Sequence, residues 1–385
     1  MPVAALRKRR GRALPGAVAA LLLGAGAAAA ASRPYESVGW RLTAIPIVNF
    51  SSDDGAGYGA RANLYAYDGH TVPYVRAWTL QAFFTTRGTW THRLQLDLPT
   101  FGPRCRVEVD AVYERDEHAN YYGALSSHAV DALLGPADED TRTRRTTFRH
   151  TYPSLQATAV QHLRLPWRVR GGLRVQHDGV EPNAPDGSLL ELLAPLGTDG
   201  GLLVQASLAL QYDSRDDYTS STRGRFEEAS VEYDIGAGGD YDGMRLALEH
   251  RHFLPVGNAL VLAHRVRADL TLGDVPFYAL PELGGSETLR GQLAARLRGQ
   301  GRLLASAEGR WLGVALSQRQ HAYLGGLLFV DAGQVFTRSA GPSLDGWHAG
   351  LGAGLRLQWQ STTVRADTGF AEGRTGIYVT FGQVF

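Results

Sequence analysis

Few stretches of this chain are spaced for chemistry, and the most suggestive is a loop followed by two acids. Leu280-Pro281-Glu282-Leu283-Gly284-Gly285-Ser286-Glu287-Thr288-Leu289-Arg290-Gly291 reads as a long loop leaving a strand. Glu308 sits in the strand that follows, and Phe329-Val330-Asp331-Ala332-Gly333 closes the next one. If the loop folds back, Arg290 can meet Glu308 or Asp331 as a buried ion pair, which would pin the loop more than stabilise the fold, because desolvation offsets much of the attraction. If the loop stays outside, Arg290 is a solvated arginine.

Other constellations are weaker. His250 and His252, at i and i+2 of one strand, share a face and could hold a metal, but scattered rim or lumen histidines are the better reading, so no metal site is expected. Gly350-x-Gly352-x-Gly354 has the look of a dinucleotide loop, but Leu355 breaks the spacing and no helix follows, so small residues leaving room inside a strand are the better reading. No G-x-S-x-G sequence occurs, and Gly284-Gly285-Ser286-Glu287-Thr288 does not supply one, so no enzyme is expected. The arginines between Arg142 and Arg149 could grip lipopolysaccharide phosphates, or simply form a solvated loop base. Cys105 is the only cysteine, which excludes an internal disulfide and a cysteine metal site; no cofactor is expected. A net charge of +1 speaks against nucleic acid as a partner.

The elements that must position these residues begin with an export signal. Arg7, Lys8, Arg9, Arg10 and Arg12 precede an apolar run from Ala17 to Ala31 with small residues before Ser32, so residues 1–31 are expected to be a signal peptide and 32–385 the mature protein. Beyond it the hydrophobic period is two. Trp90, Leu94, Leu96 and Leu98 alternate with Thr91, Arg93, Gln95 and Asp97; Leu260, Leu262, Val266 and Leu270 alternate with Arg265, Arg267, Asp269 and Thr271. A soluble sandwich would turn the apolar face inward, and a membrane barrel would turn it outward. Segment lengths suited to a tilted bilayer-crossing strand, many charges of both signs on the polar face, and tryptophans near segment ends (Trp40, Trp90, Trp167, Trp311, Trp359) favour the barrel.

Strands are expected near 39–50, 57–67, 74–86, 90–99, 104–115, 147–163, 167–177, 201–213, 224–236, 242–253, 258–272, 301–313, 321–332, 347–359, 361–370 and 375–385. Their number is even, as bacterial single-chain barrels require. With the first strand starting in the periplasm, the longest connections (116–146, 178–200 and 273–300) fall outside and the tight ones inside. The expected fold is an all-β, 16-stranded antiparallel transmembrane β-barrel of the outer membrane, with the long extracellular loop folded into the lumen. Phe385, an aromatic at the end of the last strand, would serve as an assembly signal.

Four motifs in this order resemble the BamA/TamA superfamily of outer-membrane barrels, also called the bacterial surface antigen family. Tyr212-Asp213-Ser214-Arg215-Asp216 followed by Gly224 is similar to its periplasmic turn after the eighth strand; Leu283-Gly284-Gly285 through Leu289-Arg290-Gly291 is similar to its sixth extracellular loop. Glu308 falls where the twelfth strand carries an inward acid, and Phe329-x-Asp331-x-Gly333 matches the thirteenth. Asn120-Tyr121-Tyr122-Gly123 in an outward loop is also familiar, while Gln292 stands where the family has an aromatic. The resemblance implies Arg290, Gly291, Glu308, Asp331 and Gly333 as the loop-to-lumen anchor, and Asp213, Arg215 and Asp216 as the turn motif. It implies a role in inserting or translocating proteins through the outer membrane. Some eight residues between cleavage and the first strand leave no room for the family's periplasmic POTRA modules, so a barrel-only member is expected. The partners implied are outer-membrane lipid and lipopolysaccharide, the barrel assembly machinery for its own insertion, and unfolded outer-membrane proteins or a separate periplasmic protein. A passive channel for small solutes is the competing reading.

Overall fold

The computed structural model describes residues 37–385 except 185, 237, 318, 320, 321, 360 and 361, so the expected export signal lies outside the described residues. Sixteen strands among these residues form one closed antiparallel barrel. They are β1 (Val38–Ser51), β2 (Gly55–Asp68), β3 (Arg76–Thr85), β4 (Thr89–Gly102), β5 (Cys105–Asn120), β6 (Thr147–His162), β7 (Trp167–Pro182), β8 (Gly201–Asp213), β9 (Gly224–Asp234), β10 (Gly243–Val256) and β11 (Leu260–Gly273). After a long loop come β14 (Gly301–Ser317), β15 (Ala322–Phe336), β16 (His348–Trp359), β17 (Thr362–Ala371) and β18 (Arg374–Phe381). The loop itself holds a two-stranded ribbon, β12 (Glu282–Leu283) with β13 (Leu297–Arg298).

Burial runs opposite to that of a soluble sandwich. On β11, Leu262 and Val266 are 46% and 50% exposed, whereas Arg265 and Asp269 are 7% and 3% exposed. Apolar side chains therefore form the outer surface and charges pair inside, the pattern a barrel in lipid requires. Every strand recovers its expected position within a few residues except at two kinds of place. Strands β5, β7, β14 and β15 run on toward the loops. The last strand stops at Phe381 rather than 385, because Gly382 adopts φ +85 and turns the chain away.

The three long connections gather at one end of the barrel. Two of them contain short helices: α1 (Ser127–Leu134), α2 (Glu139–Thr146) and α3 (Leu189–Leu193). Ser126, Asp138 and Ser188 cap them by accepting backbone N–H bonds from Ala129, Thr141 and Glu191. Val130, Leu134, Leu189 and Leu190 pack with Tyr121, Phe148 and Phe277 into a small apolar core, so the loops fold against one another.

Barrel closure is uneven. β1 pairs with β2 from Val38↔Asp68 to Ser51↔Gly55 along its whole length. Against β18 it pairs only at Phe50↔Val379 and Ser51↔Tyr378, supplemented by Ser52 N–H to Ile377 O at 2.9 Å. Most of the β1 edge is left unpaired at this seam. Pro46, which cannot donate to a ladder, sits on this strand, and edge strands are where sheets tolerate proline.

Candidate functional site

Local sequence shapes the loop tip. The β12–β13 ribbon brings its ends together, and the Thr288 hydroxyl accepts from Gly284 N–H and donates to Gly284 O, both at 2.8 Å. Gly285 N–H to Gln292 O at 3.1 Å closes the turn, leaving Arg290 at its apex. Leu283, Leu289 and Leu297 pack against Leu304 of β14 and Ala371 of β17, which fixes the tip to the wall.

Arg290 is fully buried. Its Nε and Nη2 donate to the two oxygens of Asp331 at 2.7 and 2.9 Å, and Nη1 donates to Glu308 Oε1 at 2.7 Å. The Arg290 backbone N–H reaches Asp331 Oδ2 at 3.2 Å, and Asp367 of β17 stands 3.7 Å from Nη1. The guanidinium carbon lies 3.4 Å from the centre of the Phe329 ring, so cation–π attraction and two carboxylates hold one charge. One arginine thus joins a loop to β14 and β15.

Glycines make this close approach possible. Gly291 has φ +103, and a Cβ there would sit 2.7 Å from Phe370 N. On the facing strands, a Cβ at Gly350 would lie 2.7 Å from Arg290 O, and one at Gly369 only 2.6 Å from Arg290 C. Gly333 leaves space for Leu283, whose Cδ1 would be 2.7 Å from an added Cβ. The loop tip therefore rests backbone to backbone on β16 and β17. It also touches the seam strand: Gly291 N–H donates to the Tyr378 hydroxyl at 3.2 Å. Gln292 donates to Glu372 at 2.8 Å, in the turn between β17 and β18.

On the other side of the seam lies Asp53, in the β1–β2 turn. Burial pushes its carboxyl up to about 6, outweighing a hydrogen bond from the Ala294 backbone and the nearby Arg374 and Arg87. The Asn120–Gly123 motif is a second meeting point. Asn120 Nδ2 donates to Ala294 O at 2.9 Å, Gly123 O accepts from Arg298 N–H at 2.8 Å, and Arg296 lies over the Tyr122 ring.

The turn after β8 is held by its own acids. Arg215 donates to both oxygens of Asp213 at 2.9 and 2.8 Å, and Arg168 adds a third bond at 3.0 Å. Asp216 accepts from the Thr222 hydroxyl and from the N–H groups of Thr222 and Arg223; together these outweigh burial and keep its carboxyl below the usual range. Phe385 lies elsewhere than a strand end would put it. It packs, 6% exposed, with Val384, Phe253, Val261 and Ala263, and its main-chain oxygen accepts from Arg310 Nη2 at 2.9 Å. Arg310 also binds Glu308 at 2.8 Å, so one run of contacts links Arg290, Glu308, Arg310 and Phe385. In the arginine run, Arg142 pairs with Asp131, Arg144 with Asp140, and Arg149 with Glu117 and Glu181. Their charges are engaged within the chain.

Sequence reasoning did not single out Asp367, Tyr378 or Glu287, which bonds Arg365. Strand alternation carries the first two: Arg365 and Asp367 share the polar face of β17, and Tyr378 falls opposite Ile377 on β18.

No curated protein sequence matches this chain. Among solved structures it is similar to BamA from Haemophilus ducreyi lacking POTRA domains 1–3, with a TM-score of 0.64 and 15% identity over 90% of this chain and 70% of that one. It is also similar to CdiB from Escherichia coli (TM-score 0.60, 12% identity, 88% of this chain and 62% of that one). CdiB from Acinetobacter baumannii gives 0.56 and 13%, over 88% and 59%. This chain thus spans under two thirds of the CdiB chains, and at these identities the likeness is one of fold. The Omp85 superfamily domain matches residues 75–383. That membership, more than any missing motif, removes the barrel-enzyme reading. The chain belongs to the Omp85 superfamily and is an integral β-barrel of the bacterial outer membrane, in a family concerned with protein insertion or secretion there.

Proposed function

We propose that this barrel assists the insertion of proteins into the outer membrane, or their translocation across it, by parting the seam between β1 and β18. The observation that carries this reading is the short ladder at Phe50↔Val379 and Ser51↔Tyr378, which leaves an edge of β1 free to pair with an incoming strand. The substrates are unfolded outer-membrane proteins, and the 273–300 loop is held inside the lumen by Arg290, Glu308 and Asp331, so that the wall beside the seam stays fixed. Asp213, Arg215 and Asp216 brace the periplasmic end, residues 1–31 direct export, and Phe385 is presented to the assembly machinery during the barrel's own insertion.

The test is a disulfide across the seam. Phe50→Cys with Val379→Cys, in a Cys105→Ser background, should stop insertion of a substrate barrel into proteoliposomes when oxidised and restore it when reduced. Equal activity in both states overturns the seam mechanism. A solute channel has one observation in its favour, a cavity of about 650 Å³ lined by charges of both signs, among them Asp116, Arg174, Asp234 and Arg298. Steady, large conductance in planar bilayers would favour the channel; small flickering conductance would favour a plugged barrel.

A further inference from the structure

Three histidines outside the loop site converge on the outer face of the barrel. His252 of β10 stands directly opposite His264 of β11, and His250 is two residues along the same face. Each offers a ring nitrogen, and these atoms all lie within 4.8 Å of one another. His250 Nε2 and His264 Nε2 are 3.2 Å apart. Two ligands at roughly 2.0–2.1 Å from a tetrahedral zinc are separated by about 3.3 Å, so this spacing already suits one ion.

A carboxylate completes the arrangement. Glu227 of β9 is paired with His250, and its Oε2 lies 2.8 Å from His250 Nδ1. A carboxylate holding one imidazole nitrogen leaves the other aimed at a metal and more basic, which is the usual support of a histidine ligand. Three strands thus supply three imidazoles and one orienting acid.

The surroundings explain why the cluster is unusual. Neighbouring residues on this face, Leu248, Leu254, Leu262 and Val266, are exposed and apolar, as a lipid-facing band demands. Polar side chains grouped here need a partner. Glu227 also pairs with Tyr212, which pairs with Trp167, and the two rings meet edge to face at 5.2 Å. An aromatic pair of this kind marks the membrane–water interface, where a dissolved ion can reach the histidines.

We infer that His250, His252 and His264, with Glu227 orienting His250, form a binding site for one divalent transition ion of the zinc class at the lipid-facing interface. An imidazole set selects such ions over magnesium and calcium, which take oxygen ligands. The ion would cross-link β10 and β11 from outside the barrel, far in the sheet from the seam.

Titration calorimetry of the tag-free protein in detergent with zinc chloride tests this. One saturable site per barrel is expected, unaffected by excess magnesium. His264→Ala and His252→Ala should each weaken zinc binding at least tenfold, and Glu227→Gln by about tenfold to a hundredfold. Heat-modifiable gel mobility checks that the variants fold. On the unaltered protein, cobalt should give the visible absorption of a tetrahedral nitrogen-ligated ion. Absence of that absorption together with no saturable zinc site, or zinc binding unchanged in His264→Ala, overturns the proposal. Unchanged binding in Glu227→Gln overturns the role of Glu227.

Discussion

The wall built by β14 to β17 and the wall that begins at β1 are made from the same kind of strand, yet they are held in opposite ways. In the first, Arg290, Glu308, Asp331, Arg356 and Asp367 are buried and joined by charge-assisted bonds, and a loop tip fills the space between them. In the second, β1 leans on β2 alone for most of its length and exposes Val38, Trp40, Leu42 and Ile45. The difference is what the proposed opening at the seam rests on. A wall with internal cross-links resists bending, whereas an edge without a ladder opens at low cost.

The largest effect should come from removing the central arginine. Arg290→Ala leaves Glu308 and Asp331 buried without their shared cation, a loss of about 3–5 kcal/mol for a buried pair broken on one side. The barrel should lose its heat-modifiable gel mobility at a clearly lower temperature; an unchanged transition would mean that the loop is not anchored through this contact. Gly369→Val attacks the same wall through space alone. Its side chain would strike the Arg290 backbone, and we expect about 1–3 kcal/mol of destabilisation together with faster protease cleavage in 284–296.

A milder experiment compares the two walls directly. Amide exchange in lipid nanodiscs should be fast along the unpaired edge of β1 and slow in β16 and β17, and equal protection would erase the contrast. The smallest effect is a pH dependence from Asp53. Its carboxyl holds its proton up to about 6 when folded, above the ordinary value near 3.9 of an unfolded chain, so the folded state gains as pH falls from about 6 toward 4 and loses that gain as pH rises through 6. Asp53→Asn should flatten this part of the profile of the thermal midpoint between pH 7 and 5. Asp54, Arg87 and Arg374 face the same group.

Much of this architecture was legible in the sequence because a lipid-facing strand writes its period plainly. Leucines alternating with arginines and aspartates on β11 gave both the strand and its inward face. Alternation also turned Glu308 and Asp331 inward, whereas the return of the loop to them was implied by the resemblance of its motif and not by any period. Features that depend on cross-strand register were harder to see. His264 joins His250 and His252 only because β10 and β11 pair with His252 opposite His264, and Tyr378 reaches Gly291 across 87 residues of sequence. The helices at Ser127–Leu134 and Glu139–Thr146 are too short for a 3.6-residue period to stand out. The early end of β18 turned on one glycine conformation, which composition does not announce.

The contact between Tyr378 and Gly291 has a mechanical consequence. β18 is gripped along one side by β17, from Val364↔Phe381 to Ala371↔Arg374, and from within by the loop tip, while Gln383 beyond it accepts from Arg356 at 2.8 Å. On the β1 side the same loop reaches only the turn with β2, where the Ala294 backbone bonds Asp53. Of the two edges that meet at the seam, β18 is bolted to the frame and β1 hangs on β2, itself laddered to β3 from Gly57↔Thr85 to Ala66↔Arg76, so in the opening proposed above β1 is the edge that would part.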